Sequence, residues 1–393
     1  MRQADEIIAY LRAHPGLAAA EDYELCVQQT NGCFWKFNGE HEVSRGTDEN
    51  VWVGLRVLQR KQPGYSTGFA SSKATLDEIV AKAVFAATLS DPDPWFRFPV
   101  TRPTADLAAS VPQPVPPVPS EDLSDPQVES TWFQWCGSGH LLRRLEKKEV
   151  RYPQYFERCE IQYKPRLVSA EESAETLRAP VWVHSRVMSR WLQIIGDWFC
   201  ADRVLSGRSP LAARKGQIIF SECVSMTDGV QQMRGNRVPV DLEGVGPQQV
   251  PLVAAGQLLG LLHSSRTAAM ENRPSTGHYL RLPDEMEGRI RPLSLAILPD
   301  GGHGDLLSGF DEGYTLEFLE ELSIVNQTSI AFRGIGRRIH SGRPGAWVSM
   351  RSINCDLLTL MTRVVAVGKD LSSFGNFGSP SILFQEMPLS ITR

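Results

Sequence analysis

Gly256-Gln257-Leu258-Leu259-Gly260-Leu261-Leu262-His263-Ser264 sets the character of the C-terminal half of this chain. Its apolar runs are short and interrupted by glycine, the pattern of strands that begin and end in tight turns. The same rhythm continues from Gly216 to the C-terminus and marks a β-rich domain, with a strand expected near residues 258–264. Just before that region, residues 184–202 read as a longer helix rich in Trp, Ile and Leu.

The N-terminal part has a different texture. Residues 6–17 suit a short helix ended by His14-Pro15-Gly16. Residues 23–27 and 32–37 alternate as strands, with a turn expected at Asn31-Gly32 and another at Asn38-Gly39. Residues 51–58 form a further strand, and Ser72 opens a helix that runs to about Leu89. A change of composition follows. Val111-Pro112-Gln113-Pro114-Val115-Pro116-Pro117-Val118-Pro119 favours polyproline II, as a semi-rigid linker or as a ligand for a proline-recognising domain. Residues 141–149 read as a short charged helix and 160–164 as a strand. The fold class expected is α+β. Residues 1–102 form an N-terminal α/β domain, 103–165 a proline-rich linker and divergent middle region, and 166–393 a β-rich C-terminal domain.

Composition narrows the function. The 393 residues are 42% hydrophobic and 22% charged, enough apolar material for real cores. A net charge of -4 gives no electrostatic footprint for nucleic acid. The seven cysteines form no C-x-x-C pair and read as reduced thiols. The first residues lack the apolar core of a signal peptide, and no apolar run approaches the ~20 residues of a membrane span. The expectation is a cytoplasmic protein with neither nucleic acid nor membrane as partner.

Strong catalytic motifs are absent from the sequence. No two histidines have the spacing of H-E-x-x-H, and there is no G-x-S-x-G elbow or phosphate-binding G-x-x-x-x-G-K-[ST] loop. Gly137-Ser138-Gly139 and Gly334-Ile335-Gly336 lack the third glycine of a dinucleotide fingerprint. His263 and His278 could pair in one site, although exposed turn positions explain them more simply. Cys200 and Asp202 could ligate a metal, although a packed thiol and a helix-end carboxylate are the commoner arrangement. Glu222 and Cys223 alternate along an expected strand and so point to opposite faces. Taken alone, these residues describe an α+β protein without a catalytic constellation.

Three longer stretches add a resemblance. Val53-Gly54-Leu55-Arg56-Val57 with Gly64-Tyr65-Ser66-Thr67-Gly68 is one, and Gly256 to Ala268 continuing to Ser275-Thr276-Gly277 is the second. The third runs from Ile353-Asn354-Cys355-Asp356 through Val365-Ala366-Val367-Gly368-Lys369-Asp370 to Ser379-Pro380-Ser381-Ile382-Leu383. In order and separation they resemble the TldD/TldE family, also called PmbA and once known as modulators of DNA gyrase, and its TldE branch above all. The resemblance implies a C-terminal domain of the PmbA/TldD type.

In the TldD branch a helix carries H-E-x-x-x-H. Counting back from Ala201-Asp202-Arg203-Val204-Leu205-Ser206-Gly207-Arg208-Ser209-Pro210, its histidines fall on Leu192 and Asp197 and its glutamate on Gln193. Leucine offers zinc no donor and an amide is no general base. The family's cysteine ligand has no counterpart in Asn376-Phe377-Gly378-Ser379-Pro380. The resemblance therefore implies a chain with no catalytic residue, metal or cofactor of its own. It implies a heterodimer with a TldD-like subunit that bears the zinc and a peptide or amide substrate. The divergent middle suggests a specialised biosynthetic pathway. Leu261, His263, Ser264, Ser379 and Ser381 are the residues expected to face the substrate cavity. Two alternatives stand beside this: a stand-alone peptide-binding or modulator protein, and a hydrolase with a non-zinc site using Asp197, Cys200 or His263.

Overall fold

The computed structural model of the chain describes residues 2–98, 128–144, 148–163, 175–229, 237–299 and 310–392. The proline stretch 111–119 lies outside the described residues.

Helices α1 (Arg2–Arg12) and α2 (Pro15–Ala18) precede a five-stranded antiparallel sheet. Its strands are β1 (Asp22–Asn38), β2 (His41–Gln59), β3 (Gln62–Phe69), β4 (Val128–Arg143) and β5 (Lys148–Tyr163), in the order β3-β2-β1-β4-β5. Helix α3 (Lys73–Leu89) starts where the Ser72 side chain accepts a hydrogen bond from the Thr75 N–H, satisfying one orphan donor of the first turn. Leu25, Val27, Val53, Leu55 and Val57 point to one face of the sheet and pack with Ile8, Leu11, Ile79 and Ala83 of the helices. Their neighbours Cys26 and Trp52 point to the opposite face, where they meet Val240 and Leu242. Both faces are covered, one by helices and the other by the rest of the chain.

Two expectations fail here for one reason, the strength of continuous strand pairing. Asn31-Gly32 is no turn, because β1 passes straight through it, with Asn31 opposite Glu49 on one side and Cys136 on the other. Gly32 is instead a point of close approach, since a Cβ there would lie 2.7 Å from the Trp135 side chain. Of the charged helix expected over 141–149, the described residues 141–143 and 148–149 lie in strands instead. Leu141 and Leu142 end β4 and pair with Val150 and Glu149 of β5. Burial of both leucines in a sheet outweighs the helix propensity of the charged residues beside them. The middle region thus supplies two strands to the N-terminal sheet, which crosses the division expected at residue 102.

The C-terminal part holds two larger sheets. In the first, Glu175–Val183, Ile382–Thr392, Arg343–Ser352 and Ser329–His340 follow one another. Glu312–Leu316 pairs with both Glu175–Val183 and Ser329–His340, so these five strands close on themselves. Phe318–Ile324 adds to Ser329–His340. The second sheet is six-stranded, in the order Ser372–Phe374, Phe377–Ser379, Leu295–Ile297, Met226–Asp228, Val250–Ala254 and Gln257–Leu258. Helix α4 (Ser185–Trp198) lies between them, and its Val187, Met188, Trp191, Leu192 and Ile195 belong to the largest core. Three short helices follow, α5 (Ala201–Leu205), α6 (Ser265–Met270) and α7 (Leu357–Met361). The strand expected near 258–264 is brief. It covers Gln257–Leu258, after which Leu262 makes an isolated parallel bridge to Cys200. Glu222 and Cys223 occupy a turn, so their expected alternation on a strand does not occur.

The N-terminal sheet is fastened to this body by buried charge. Glu24 of β1 accepts from Arg56 of β2 and Arg143 of β4. Arg56 also reaches Glu243 at 3.1 Å, and Arg143 donates to the Glu243 carbonyl. Beside them the Arg281 guanidinium lies 4.4 Å from the Trp52 ring centre. This docking brings β5 next to α4.

The packing of α3 on β3 gives a direct test. A Cβ on Gly64 would lie 2.1 Å from the Ala83 carbonyl oxygen and 2.5 Å from the Ala87 nitrogen, both backbone atoms that cannot swing aside. Gly64→Val should lower unfolding stability by about 1–3 kcal/mol in urea titrations. Unchanged stability would contradict the contact.

Candidate functional site

Helix α4 sorts its residues by side. Val187, Met188, Trp191, Leu192, Ile195 and Trp198 are buried, and the cap at His184 accepts from the Arg186 N–H. Arg190, Gln193 and Asp197 recur at i, i+3 and i+7 on the opposite side and stay accessible. These three residues line two adjoining cavities. One, of about 350 Å³, is walled by Glu157, Arg158, Cys159 and Glu160 of β5, by Glu285, Arg289, Arg291 and Pro292, and by Phe374, Asn376 and Phe377. The other, of about 310 Å³, is walled by Trp198, Arg203, Arg208, Ser209, Leu322, Ile324, Asn326 and Gln327. Together they form a cleft along the exposed side of α4.

The cleft is held by charge-assisted contacts. Arg190 Nη1 donates to the Ile161 carbonyl at 3.0 Å, and Asp197 pairs with Arg203 at 2.8 Å. Arg291 pairs with Glu285, which Arg289 approaches at 3.5 Å. Burial pulls the Arg291 pKa below the ordinary arginine value, and the Glu285 carboxylate opposes that shift. Arg158 pairs with Asp284 at 2.8 Å while its guanidinium lies 4.5 Å from the Phe133 ring centre. Cys159 is buried, and burial pushes its thiol well above the usual range, so it is a packing group rather than a nucleophile. Fixed donors, fixed acceptors and two phenylalanines suit this cleft to binding a polar, extended chain.

Zinc does not fit the α4 residues. Leu192 is fully buried in the core and carries no donor, Gln193 presents a neutral amide, and the Asp197 carboxylate is engaged by Arg203. Among the described residues no group of three or more His, Cys, Asp or Glu side chains is arranged to hold a metal ion.

The residues singled out from sequence lie deeper. Leu261 is in the main core, and Ser264 caps α6 by accepting from the Thr267 N–H. Ser379 donates to the Pro380 carbonyl at 2.6 Å, and Ser381 to Asp370 at 2.5 Å. His263 and His278, expected as exposed turn residues, are both fully buried. Thr276 links them, taking the His263 N–H at 2.7 Å and lying 3.0 Å from His278 Nδ1. His278 Nε2 is 2.9 Å from Asp228, which also accepts from the Leu293 and Ser294 N–H groups. Cys200 is a packed thiol that donates to the Ile290 carbonyl at 3.3 Å. All five expected cavity residues are buried, and the α4 cleft is lined by others. The sequence reading missed Arg190, Arg203, Arg208, Glu285 and Asn376. Polar residues at 190, 193 and 197, at the spacing of one helix side, were the available signal.

The family model of the PmbA/TldA metallopeptidase C-terminal domain matches residues 176–390. No curated protein matches the chain. Among solved structures, TldE from Thermococcus kodakarensis superposes with a TM-score of 0.71 at 15% identity, over 99% of each chain. A protein described as a modulator of DNA gyrase from Thermotoga maritima gives 0.69 at 15% identity, over 98% of this chain and 99% of that one. Another with that description, from Bacteroides thetaiotaomicron, gives 0.68 at 11% identity, over 99% and 98%. At these identities the superpositions establish the fold, and the α+β architecture with a large β-rich C-terminal domain is shared.

The buried His263 has a consequence in pH. Burial lowers its pKa to about 4, with Glu271 opposing and Arg273 and Lys215 reinforcing the shift. In the unfolded chain the ring takes a proton near pH 6.5. Its contribution is therefore complete above about pH 6.5 and is lost as pH falls through about 4. The stability difference between the wild type and His263→Gln should shrink by about 2 kcal/mol between pH 7.5 and 4.5. Chemical denaturation at the two pH values measures it, and an identical pH dependence in both proteins would refute the assignment.

Proposed function

Because the chain belongs to the PmbA/TldD family, we propose that it is the TldE-like, non-catalytic subunit of a heterodimeric zinc peptidase and contributes the wall of the substrate cleft. The observation that carries this is the setting of α4. The helix keeps an exposed side over a cleft, yet offers a buried leucine, an amide and an arginine-bound carboxylate where the metal-bearing branch has its zinc motif. The metal and the general base for amide hydrolysis belong to a TldD-like partner.

What this chain supplies is position. The Gln193 and Asn376 amides line the cleft, where they can pair with the N–H and C=O groups of an extended peptide. Phe374 and Phe377 give an apolar surface for a side chain. Holding a peptide against the partner's reactive centre converts encounter into orientation, which is a large part of a peptidase's rate. A specialised peptide or amide intermediate is the proposed substrate, and the cytoplasm the proposed location. Among the described residues no helix is long and apolar enough to cross a membrane.

A hydrolytic site built from Asp197, Cys200 or His263 is the weaker reading. Cys200 holds its proton and His263 is neutral above about pH 4, both enclosed in the core, while Asp197 faces the cleft.

Peptide hydrolysis should be detected when this chain is mixed with a zinc-bearing TldD-like partner and be absent from this chain alone. Substituting a zinc ligand of the partner should abolish it. The double variant Gln193→Ala/Asn376→Ala should raise KM about tenfold while kcat changes far less. Full activity in the isolated chain would overturn the proposal.

A further inference from the structure

The two halves of the cleft differ in charge. The half toward β5 is balanced, with Arg158, Arg289 and Arg291 facing Glu157, Glu160 and Glu285. The other half is lined by Arg190, Arg203 and Arg208, and Asp197 is the one acid among its lining residues. Each of these arginines commits a nitrogen to a protein oxygen: Arg190 to Ile161, Arg203 to Asp197 and Arg208 to Ser206. A guanidinium carries five N–H donors, so donors remain on all three. Leu322 and Ile324 form an apolar wall of the same cavity.

We propose that this arginine-lined half is a subsite for a carboxylate of a peptide lying along α4, with the neighbouring apolar side chain against Leu322 and Ile324. The proposal rests on reading the cleft as a peptide site. Planar guanidinium forks match a carboxylate in shape and charge, and three of them along one wall favour a carboxylate over a neutral group. The uneven charge also sets direction, with the carboxylate end at Arg208 and the chain running back past Gln193 toward the balanced half. The carboxylate can be the C-terminus or an acidic side chain near it.

Three fluorescein-labelled hexapeptides of one apolar sequence separate these cases by fluorescence anisotropy. One ends in a free carboxylate, one in an amide, and one in an amide with glutamate as its last residue. They are titrated into the purified chain and into the chain co-expressed with a TldD-like partner. The free acid should bind about tenfold or more tightly than the plain amide. Arg208→Gln should erase most of that preference, whereas Lys82→Gln on the distant α3 should retain it. Recovery of affinity by the glutamate peptide assigns the subsite to an acidic side chain, and no recovery assigns it to the C-terminus. Equal binding of all three, unaffected by Arg208→Gln, would overturn the subsite and leave the peptide cleft standing. Failure of every peptide to bind either preparation would overturn both.

Discussion

The apolar side of α4 has to leave water, and this requirement sets the rest of the molecule. Trp191, Leu192 and Ile195 are fully buried between the closed sheet and the six-stranded sheet. Each such side chain contributes about 1.5–3 kcal/mol on burial, so the helix has one rotational setting. Gly196 lets it sit close to the second sheet, since a Cβ there would lie 2.9 Å from both Leu295 and Pro292. With that side fixed inward, Arg190, Gln193 and Asp197 can only face out. The cleft is the consequence, and so is its chemistry. Leu192 is committed to packing, and a polar side chain in its place would need a hydrogen-bonding partner inside the core.

The second constraint is the charged joint between the N-terminal sheet and the C-terminal body. Glu24, Arg143 and Glu243 are almost completely buried, which is tolerable only because each carboxylate meets a guanidinium. Hydrophobic contact alone would allow β4 and β5 to slide. Paired charges with fixed geometry give the joint a single register, and that register places Glu157, Arg158, Cys159 and Glu160 opposite α4. One wall of the cleft therefore comes from the first sheet and the other from the C-terminal domain. The site exists only when both are docked.

Much of this was legible in the sequence. The helix opened by Ser72, the strand of residues 51–58 and the β-rich C-terminal half all follow from local periodicity, and the structure contains them; the helix expected over 184–202 is present as Ser185–Trp198, with a break before Ala201–Leu205. Local signals failed where non-local pairing decided the outcome. Asn31-Gly32 has the composition of a turn, yet strands on both sides hold it extended. Leu141-Leu142 next to charged residues has the composition of a helix, yet both leucines are buried in the sheet. The family was legible because its motifs survive as short ordered blocks. The cleft was less so: Gln193 and Asp197 came from counting along the helix, but Arg203, Arg208, Glu285 and Asn376 converge only through the fold. His263 and His278 look like turn residues in the sequence. Their burial depends on Thr276, Asp228 and Glu271, which reach them from residues 8 or more positions from His263 or from another sheet.

The proposed heterodimer divides the labour between two chains. The most direct measurement is metal content together with size-exclusion mass, on this chain purified alone and on the same chain co-expressed with a TldD-like protein. The lone chain should carry no zinc, and the co-eluting pair should carry one zinc per heterodimer. Stoichiometric zinc in the lone chain would contradict it, because Leu192, Gln193 and Asp197 could not then mark the positions of the zinc motif.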